Sequence, residues 1–299
     1  MTERFPIYYE TAGNPADPCI IMIMGLSGQL INWSPELIQG LAKNGYYVVI
    51  FDNRDCGLSK HYDELYTPNP AEAYAAAQLG TVFHPPYTLK DMADDVLLLM
   101  DELKIAKAHI LGISMGGIIA QYVALNYPKR ALSMTCIAST SSDPSLPPAH
   151  PEVLAFFFSP HREEENLSSY IDSKIALHQL YYHPDHFNQE RSTAFLKKSY
   201  ERSHKSSGFQ RQVLAMVAEG PRTDRLKQLQ IPALIIHGTY DKVFPVEHGQ
   251  HLAQILPNSH LEIIDKMGHG LPDVLNNRII DMCCTFYKGL ALDESITNR

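Results

Sequence analysis

A serine flanked by glycines is the strongest chemical signal in this sequence. Ser114 lies at the centre of the pentapeptide Gly-Ile-Ser-Met-Gly, residues 112–116. The apolar run 108–111 before it indicates a short buried strand, and the apolar stretch 117–125 after it indicates a helix. A sharp strand-to-helix turn exposes a serine hydroxyl, and the glycines avoid clashes within the bend. The pattern predicts a nucleophilic serine, although a tight turn without chemistry would have the same pattern.

A serine hydroxyl is a weak nucleophile, so a base and an orienting acid have to lie near it. His269 stands between two glycines after the apolar run 261–264, and Asp241 follows the apolar run 233–237. In a parallel sheet the reactive side chains come after the carboxyl ends of the strands. We therefore predict that His269 is the base and that Asp241 is the acid.

Two other aspartates are alternatives for the acid. Asp265 lies four residues before His269 in the chain, which is too local to hold the imidazole from its opposite side. Asp143 follows the apolar run 132–138, but an aspartate directly before a proline is also typical of a turn. Asp241 is preferred, and both alternatives stay open at this point.

Acyl transfer also needs donors for the negative charge that develops on the former carbonyl oxygen. The backbone N–H of Met115, directly after the serine, is predicted to be one donor. The second is expected from the loop that ends the apolar run 19–24, with Leu26 N–H preferred and Ser27 N–H as the alternative. A glycine-rich turn without a catalytic part is the alternative explanation of that loop.

The elements that position these residues alternate between apolar runs and helical patterns. The predicted strands are residues 19–24, 46–51, 108–111, 132–138, 233–237 and 261–264. The predicted helices of this part are residues 33–43, 88–103, 117–125, 246–256 and 272–287. Such alternation predicts an α/β fold with a mostly parallel, doubly wound sheet covered on both faces.

The strand pattern stops between residues 139 and 222, where helical patterns at 167–182 and 192–202 replace it. We predict a core of residues 1–138 and 223–299 with a helical cap inserted at 139–222. The aromatic runs 156–158 and 181–182 either line a pocket or pack the cap onto the sheet. A second irregular stretch, residues 60–87, is longer than a usual connection and predicts a functional flap.

Composition excludes several classes of protein. The chain has 299 residues, of which 45% are hydrophobic and 19% charged, so it can build a large core. Its net charge of −8 argues against a nucleic-acid surface.

Cys19 and Cys136 lie in apolar runs and are predicted to be buried thiols. The apolar runs are too short to span a membrane and the amino terminus does not resemble a signal peptide, so we expect a cytoplasmic protein. Its oligomeric state is not indicated.

Five motifs together resemble the α/β-hydrolase superfamily over nearly the whole chain. They are Met24-Gly25-Leu26-Ser27-Gly28, Asp52-Asn53-Arg54-Asp55-Cys56-Gly57-Leu58-Ser59, the pentapeptide around Ser114, His237-Gly238-Thr239-Tyr240-Asp241 and Gly268-His269-Gly270. The sequence is most similar to the aclacinomycin methylesterase-like branch, which contains carboxylic ester hydrolases. This resemblance implies an α/β-hydrolase fold and a small-molecule ester substrate, with no metal or organic cofactor.

The resemblance also implies roles for individual residues. Ser114, Asp241 and His269 would form a catalytic triad, and Leu26 and Met115 would supply the oxyanion hole. Two positions depart from the family pattern: Met24 stands where many relatives have histidine, and Asp55 where many have glycine. The same triad would also serve for a thioester, lactone, amide or C–C bond, and a non-catalytic small-molecule receptor on the same fold is a further alternative.

Overall fold

The computed structural model describes residues 5–158, 166–205 and 207–297, the last seven of these by their backbone alone. The strands among these residues are β1 (Tyr9–Ala12), β2 (Cys19–Ile23), β3 (Tyr47–Phe51), β4 (Ala108–Ile113), β5 (Ala131–Ile137), β6 (Ala233–Gly238) and β7 (Ser259–Ile264). They form one sheet in the order β1-β3-β2-β4-β5-β6-β7. β1 is antiparallel to β3, and all other neighbours are parallel.

The predicted mostly parallel sheet is thus confirmed. β2, β3, β4 and β6 are buried along their whole length, which explains why each is a continuous apolar run in the sequence. β1 was not predicted, because its four residues are half-buried or exposed and include glutamate and threonine. It pairs with β3 at the edge of the sheet, where a strand can be short and polar.

Helices connect the strands and cover both faces. The described helices are α1 (Pro35–Lys43), α2 (Pro70–Gln78), α3 (Leu89–Glu102), α4 (Met115–Asn126), α5 (Pro151–Phe158), α6 (Leu167–Tyr181), α7 (Gln189–Arg202), α8 (Ser207–Val217), α9 (Thr223–Leu226), α10 (Glu247–Ile255) and α11 (Asn276–Thr297). Short 3-10 turns occur at Leu30–Asn32, Pro128–Arg130 and Asp273–Leu275. Thr88 caps α3 in a reciprocal capping box with Asp91, as its position before the helical pattern predicts.

Alternate residues of the central strands enter two separate apolar layers. Ile21 and Ile23 of β2 pack with α3 and α4 on one face of the sheet. Ile20 and Met22 pack with α1 and α11 on the other face. Burial on both faces fixes the register of the strands, because a shift by one residue would exchange the two layers. The loops after β4, β6 and β7 are therefore held at the same edge of a rigid sheet.

The region between β5 and β6 is helical in its described part, from α5 to α8. We call residues 139–222 the inserted segment. α2, in the stretch 60–87, packs against α5 and α8 of this segment, and the rings of Tyr74 and Phe158 stack at 4.1 Å between centroids. α2 was not predicted as a helix, since its sequence is dominated by alanine and carries little apolar periodicity. Within the described part of the chain, none of the helices is both apolar and long enough to cross a membrane.

Candidate active site

Ser114 occupies the turn between β4 and α4 with an unusual backbone conformation. Its φ is +56° and its ψ is −123°, a region that residues with a side chain rarely adopt. The turn is held by the Ser114 N–H, which donates to Ile137 O of β5 at 2.9 Å, and by Ser139 Oγ, which donates to Ser114 O at 2.9 Å. A strained backbone conformation that is held in place by neighbouring groups is typical of functional sites.

His269 follows β7 and lies between the serine and the aspartate. Its Nε2 is 2.8 Å from Ser114 Oγ, and its Nδ1 is 2.9 Å from Asp241 Oδ2. The ring is 5% exposed and contacts the rings of Tyr181 and Phe244, with centroids 5.1 Å and 5.7 Å away. With a carboxylate on Nδ1 and a hydroxyl on Nε2, the ring is oriented to accept the proton of Ser114.

Asp241 lies in the loop after β6 and is held by backbone donors. Its Oδ1 accepts hydrogen bonds from Val243 N–H at 2.8 Å and Phe244 N–H at 2.9 Å. Burial alone would raise the pKa of Asp241, but the charge of His269 and hydrogen bonds from His237 and His269 outweigh it and lower the pKa. Asp241 is therefore a carboxylate at neutral pH.

His237 is a second histidine near Asp241, and no role was predicted for it from the motif that contains it. It is fully buried, and its Nε2 lies 3.4 Å from Asp241 Oδ2 and 2.7 Å from Phe244 O. Its position four residues before Asp241, near the end of β6, is the feature of the sequence that could have predicted this contact. His237 and His269 thus approach the same carboxylate oxygen, and His237 also ties the loop at Phe244 to the end of β6.

The two alternative aspartates have other partners. Asp143 accepts hydrogen bonds from Ser145 and Thr223 and lies 3.9 Å from His251. Asp265 is exposed and accepts a hydrogen bond from Thr239 Oγ1 at 3.1 Å. Of the three aspartates considered from the sequence, Asp241 is the one that the structure brings to Nδ1 of His269.

The loop after β2 lies directly against Ser114. A β-carbon on Gly25 would be 3.1 Å from the β-carbon of Ser114, so only a glycine allows this approach without displacement. Gly28 N–H donates to Gly25 O at 3.1 Å and closes a tight turn with Leu26 and Ser27 at its centre. Ser27 N–H donates to Gln212 Oε1 at 2.7 Å, so this alternative oxyanion donor already has a partner.

Ser114 and His269 open onto a cavity of about 820 Å³ between the sheet edge, α2 and the inserted segment. Its aromatic lining residues are Tyr74, Phe157, Phe158, Tyr181, Tyr182, Phe195 and Phe244. Four of the five residues in the predicted aromatic runs thus line it. Phe156 packs elsewhere, with its ring 6.0 Å from that of Phe157 and 5.3 Å from Lys174 Nζ.

Charged groups in the cavity wall are mostly acidic. The lining carboxylates are Glu36, Asp143, Glu219 and Asp273. Glu219 is paired with the buried Arg222 at 2.7 Å. The lining cations Arg191 and Lys198 are both exposed, and Arg191 pairs with Asp273. An aromatic interior with this balance of charge suits an uncharged ligand better than an anion.

A cluster outside the cavity lining has the residue types of a metal site, but its carboxylates are paired with a cationic side chain. Oxygen or nitrogen atoms of Asp55, His61 and Asp63 lie within 4.8 Å of one another. Arg211 stands among them, with Nη2 at 2.7 Å from Asp55 Oδ1 and 2.9 Å from Asp63 Oδ1. Lys205 also lies 3.5 Å from Asp63, so both carboxylates have cationic partners and the cluster is an ion-pair network.

Comparison with known proteins agrees with this architecture. Residues 18–273 match the family model described as the alpha/beta hydrolase fold, and the chain belongs to this family. It is 24% identical to rhodomycin D methylesterase DauP from Streptomyces sp. (strain C5), covering 94% of this chain and 95% of the relative. It is 26% identical to 3-oxoadipate enol-lactonase 2 from Acinetobacter baylyi, covering 86% and 84%.

A solved structure is also similar in fold. The meta-cleavage product hydrolase from Pseudomonas fluorescens IP01 aligns with a TM-score of 0.72 at 19% identity, covering 95% of this chain and 94% of that chain. The resemblance to methylesterase-like enzymes and the α/β-hydrolase fold, both predicted from the sequence, are confirmed. The two curated relatives support a hydrolase activity, but one is named as a methylesterase and the other as an enol-lactonase, so the type of bond cleaved differs between them.

Proposed function

We propose that this protein is a serine hydrolase that cleaves carboxylic esters through an acyl-enzyme on Ser114. The observation that carries the proposal is one continuous chain of contacts. Ser114 Oγ is 2.8 Å from His269 Nε2, and His269 Nδ1 is 2.9 Å from Asp241 Oδ2. This chain ends at a cavity that reaches the serine. Nucleophile, base and orienting acid are the parts that acyl transfer requires.

In the first half of the reaction, Ser114 Oγ attacks the ester carbonyl carbon while its proton moves to Nε2 of His269. The C=O electron pair moves to the carbonyl oxygen, which becomes an oxyanion between the backbone N–H groups of Met115 and Leu26. Asp241 stabilises the imidazolium that forms. The imidazolium then gives its proton to the alcohol oxygen as the C–O bond breaks, which leaves the acyl group on Ser114.

In the second half, water enters and repeats the sequence. His269 takes a proton from the water, whose oxygen attacks the acyl carbon, and the same N–H groups hold the new oxyanion. Collapse of the intermediate breaks the bond to Ser114 Oγ, which recovers its proton from His269. The products are a carboxylic acid and an alcohol, and the protein returns to its starting state.

The cavity supports an uncharged, ring-containing or aliphatic ester as substrate. Aromatic side chains form much of its wall, and carboxylates outnumber cations among its charged lining residues, which disfavours an anionic substrate. The methylesterase relative supports an ester in particular. Lactone hydrolysis is the second candidate, because the enol-lactonase relative covers most of the chain and a lactone passes through the same oxyanion.

Replacement of the nucleophile tests the proposal. Wild-type protein should hydrolyse p-nitrophenyl butyrate and react with a fluorophosphonate probe, whereas Ser114→Ala should do neither and should still fold. Ser169→Ala, which removes a hydroxyl at the start of α6, is the matched control and should retain turnover and labelling. Full turnover by Ser114→Ala would refute the proposal, and a wild-type protein that neither turns over nor labels would favour a receptor.

A further inference from the structure

Ser27, at the centre of the loop beside Ser114, is held in a conformation that serine disfavours. Its φ is +52°, in the left-handed region that favours glycine. Both of its backbone polar groups are bound by side chains from outside the loop. The N–H donates to Gln212 Oε1 at 2.7 Å, and the carbonyl accepts a hydrogen bond from Cys56 Sγ at 3.3 Å. A strained residue with such partners keeps a geometry that the loop alone would not maintain.

Gln212 comes from α8 of the inserted segment and is completely buried. Its Nε2 donates to Arg54 O, in the loop after β3, at 2.8 Å. Because one partner is an N–H group and the other is a carbonyl, the amide can satisfy both in a single orientation. The side chain therefore joins the loop after β2 to the loop after β3, and both to α8.

A second set of buried contacts anchors the far end of the same loop. Gln29 donates from Nε2 to Ser199 O at 2.9 Å, and Ser199 lies on α7. Asp52 accepts a hydrogen bond from Leu30 N–H at 2.7 Å and pairs with Arg202 of α7 at 2.7 Å. The loop after β2 is thus fixed to two helices of the inserted segment, and Gln212 binds it at Ser27, two residues after Gly25, which lies against Ser114.

We propose that Gln212 is a positioning residue for the oxyanion hole, an inference that rests on the proposed function. Gln212 fixes the Leu26–Ser27 peptide through the Ser27 N–H, which leaves Leu26 N–H to face the substrate carbonyl. The loop touches Ser114 at Gly25, so a small displacement would move the Leu26 donor relative to the reacting carbon. Displacements of about 1 Å in such sites cost up to ~10²-fold in rate.

The test compares Gln212→Leu with wild type on p-nitrophenyl butyrate and on a trifluoromethyl ketone, which binds serine as a tetrahedral oxyanion. We expect kcat to fall by about 10- to 100-fold with KM changed less than about threefold. Affinity for the ketone should fall by the same factor as kcat/KM, because only the oxyanion state uses the displaced donor. Gln212→Glu, which keeps an acceptor for Ser27 N–H, should recover part of both losses.

Gln121→Leu is the matched control. Gln121 is also fully buried and also donates its amide to a backbone carbonyl, Thr140 O, at 3.0 Å, and its side-chain hydrogen bonds to other described residues go to Cys136 and Arg222 instead of the loop after β2. The Gln121→Leu variant should lose stability without a selective loss of ketone affinity.

If Gln212→Leu does not fold, Gln212→Asn, whose side chain is one methylene shorter, should show smaller losses of kcat and of ketone affinity. Unchanged ketone affinity in the folded variant would overturn the inference. An inactive, unlabelled wild type would instead overturn the proposed function.

Discussion

Gly112 lies directly beneath Gly116, so that a β-carbon on Gly112 would be 2.0 Å from the carbonyl oxygen of Gly116. A β-carbon on Gly116 would in turn be 2.1 Å from Ile23 O of β2. In both cases the obstacle is backbone, which cannot rotate away as the end of a side chain can. The two glycines are therefore required by the close packing of α4 on the sheet, and this packing holds Ser114 in its strained conformation.

Gly112→Ala should therefore destabilise the protein. Overpacking a rigid site typically costs about 1–3 kcal/mol, and we expect the upper end of that range here. Urea denaturation followed by circular dichroism would measure the change in the free energy of unfolding. Gly220→Ala is the control, since no atom lies within 4 Å of its added β-carbon, and it should change stability by less than about 0.5 kcal/mol. Equal stability of the two variants would contradict this account.

Local signals in the sequence were sufficient for the parallel strands β2 to β7, though not for the edge strand β1, and for the prediction that three side chains lie at strand ends. The central strands are buried on both faces, so each one is a continuous apolar run. Such a run can be identified in the sequence without knowing which strands lie beside it. Ser114, Asp241 and His269 each follow such a run, and the topology of a parallel sheet brings strand ends together. For this reason, residues separated by more than a hundred positions could be predicted to meet.

Contacts between the inserted segment and the core could not be predicted in this way. Gln212 and Ser27 are 185 positions apart, and Arg211 and Asp55 are 156 apart. Neither pair belongs to a repeating pattern, and both depend on how α8 packs beside two loops. Asp55 illustrates the point: its φ of +64° is disfavoured for a residue with a side chain, and its carboxylate pairs with Arg211 of α8.

Asp241→Asn should remove most of the activity while the protein keeps its fold. The amide would present an N–H or a poorer acceptor to Nδ1 of His269, so the ring would adopt the wrong tautomer for accepting the proton of Ser114. In a related triad this change costs about 10⁴-fold in kcat, and we expect a loss of similar size. Stopped assays with p-nitrophenyl butyrate and the rate of fluorophosphonate labelling would measure it. A loss below tenfold would point to a different acid.

Asp55→Gly, which suits the positive φ but removes the carboxylate, should destabilise this protein. Burial alone would raise the pKa of Asp55, but hydrogen bonds from Arg211 and Tyr62 N–H outweigh it and lower the pKa, so a buried ion pair forms. Arg211 is 2% exposed and would keep the half-exposed Asp63 as an ion-pair partner, so we expect the lower end of the about 3–5 kcal/mol that an unpaired buried charge costs. The free energy of unfolding in urea would measure this.

A double-mutant cycle separates the ion pair from the backbone effect at residue 55. Arg211→Met removes the buried charge, so Asp55→Gly combined with Arg211→Met should be more stable than Asp55→Gly alone. Asp63 lies 2.9 Å from Arg211 and will retain part of the interaction in the single variant. Additive losses in the cycle would show that the pair is not coupled.

Met216 offers a test of the cavity as the acyl or alcohol pocket. It lines the cavity from α8 and is partly buried, so Met216→Trp should reduce the space inside the cavity. We expect kcat/KM for p-nitrophenyl octanoate to fall at least about tenfold, with the value for the acetate changed less than about threefold, because each excluded methylene is worth ~1 kcal/mol. Met216→Ala enlarges the same space and should not lower the octanoate rate. Equal effects of the tryptophan on both esters would contradict the pocket assignment.

His109 should make stability depend on pH in the acid range. It lies on β4, where its Nδ1 is 2.8 Å from Ser133 Oγ and its ring stacks on Tyr287 at 4.1 Å. Burial lowers the pKa of His109 from 6.5 to about 4 in the folded protein. Between these pH values the unfolded chain binds a proton that the folded protein does not. The contribution of His109 is therefore complete above pH 6.5 and is lost as the pH falls toward 4.

The expected loss from this residue is on the order of 3 kcal/mol at pH 4. Carboxylates also titrate in this range, so the measurement has to be a difference between two proteins. We expect the gap in the free energy of unfolding between wild type and His109→Gln to change by that amount from pH 7 to pH 4, with the variant less sensitive to acid. Because glutamine does not titrate and can still bond Ser133, parallel pH profiles for the two proteins would mean that His109 is protonated inside the fold.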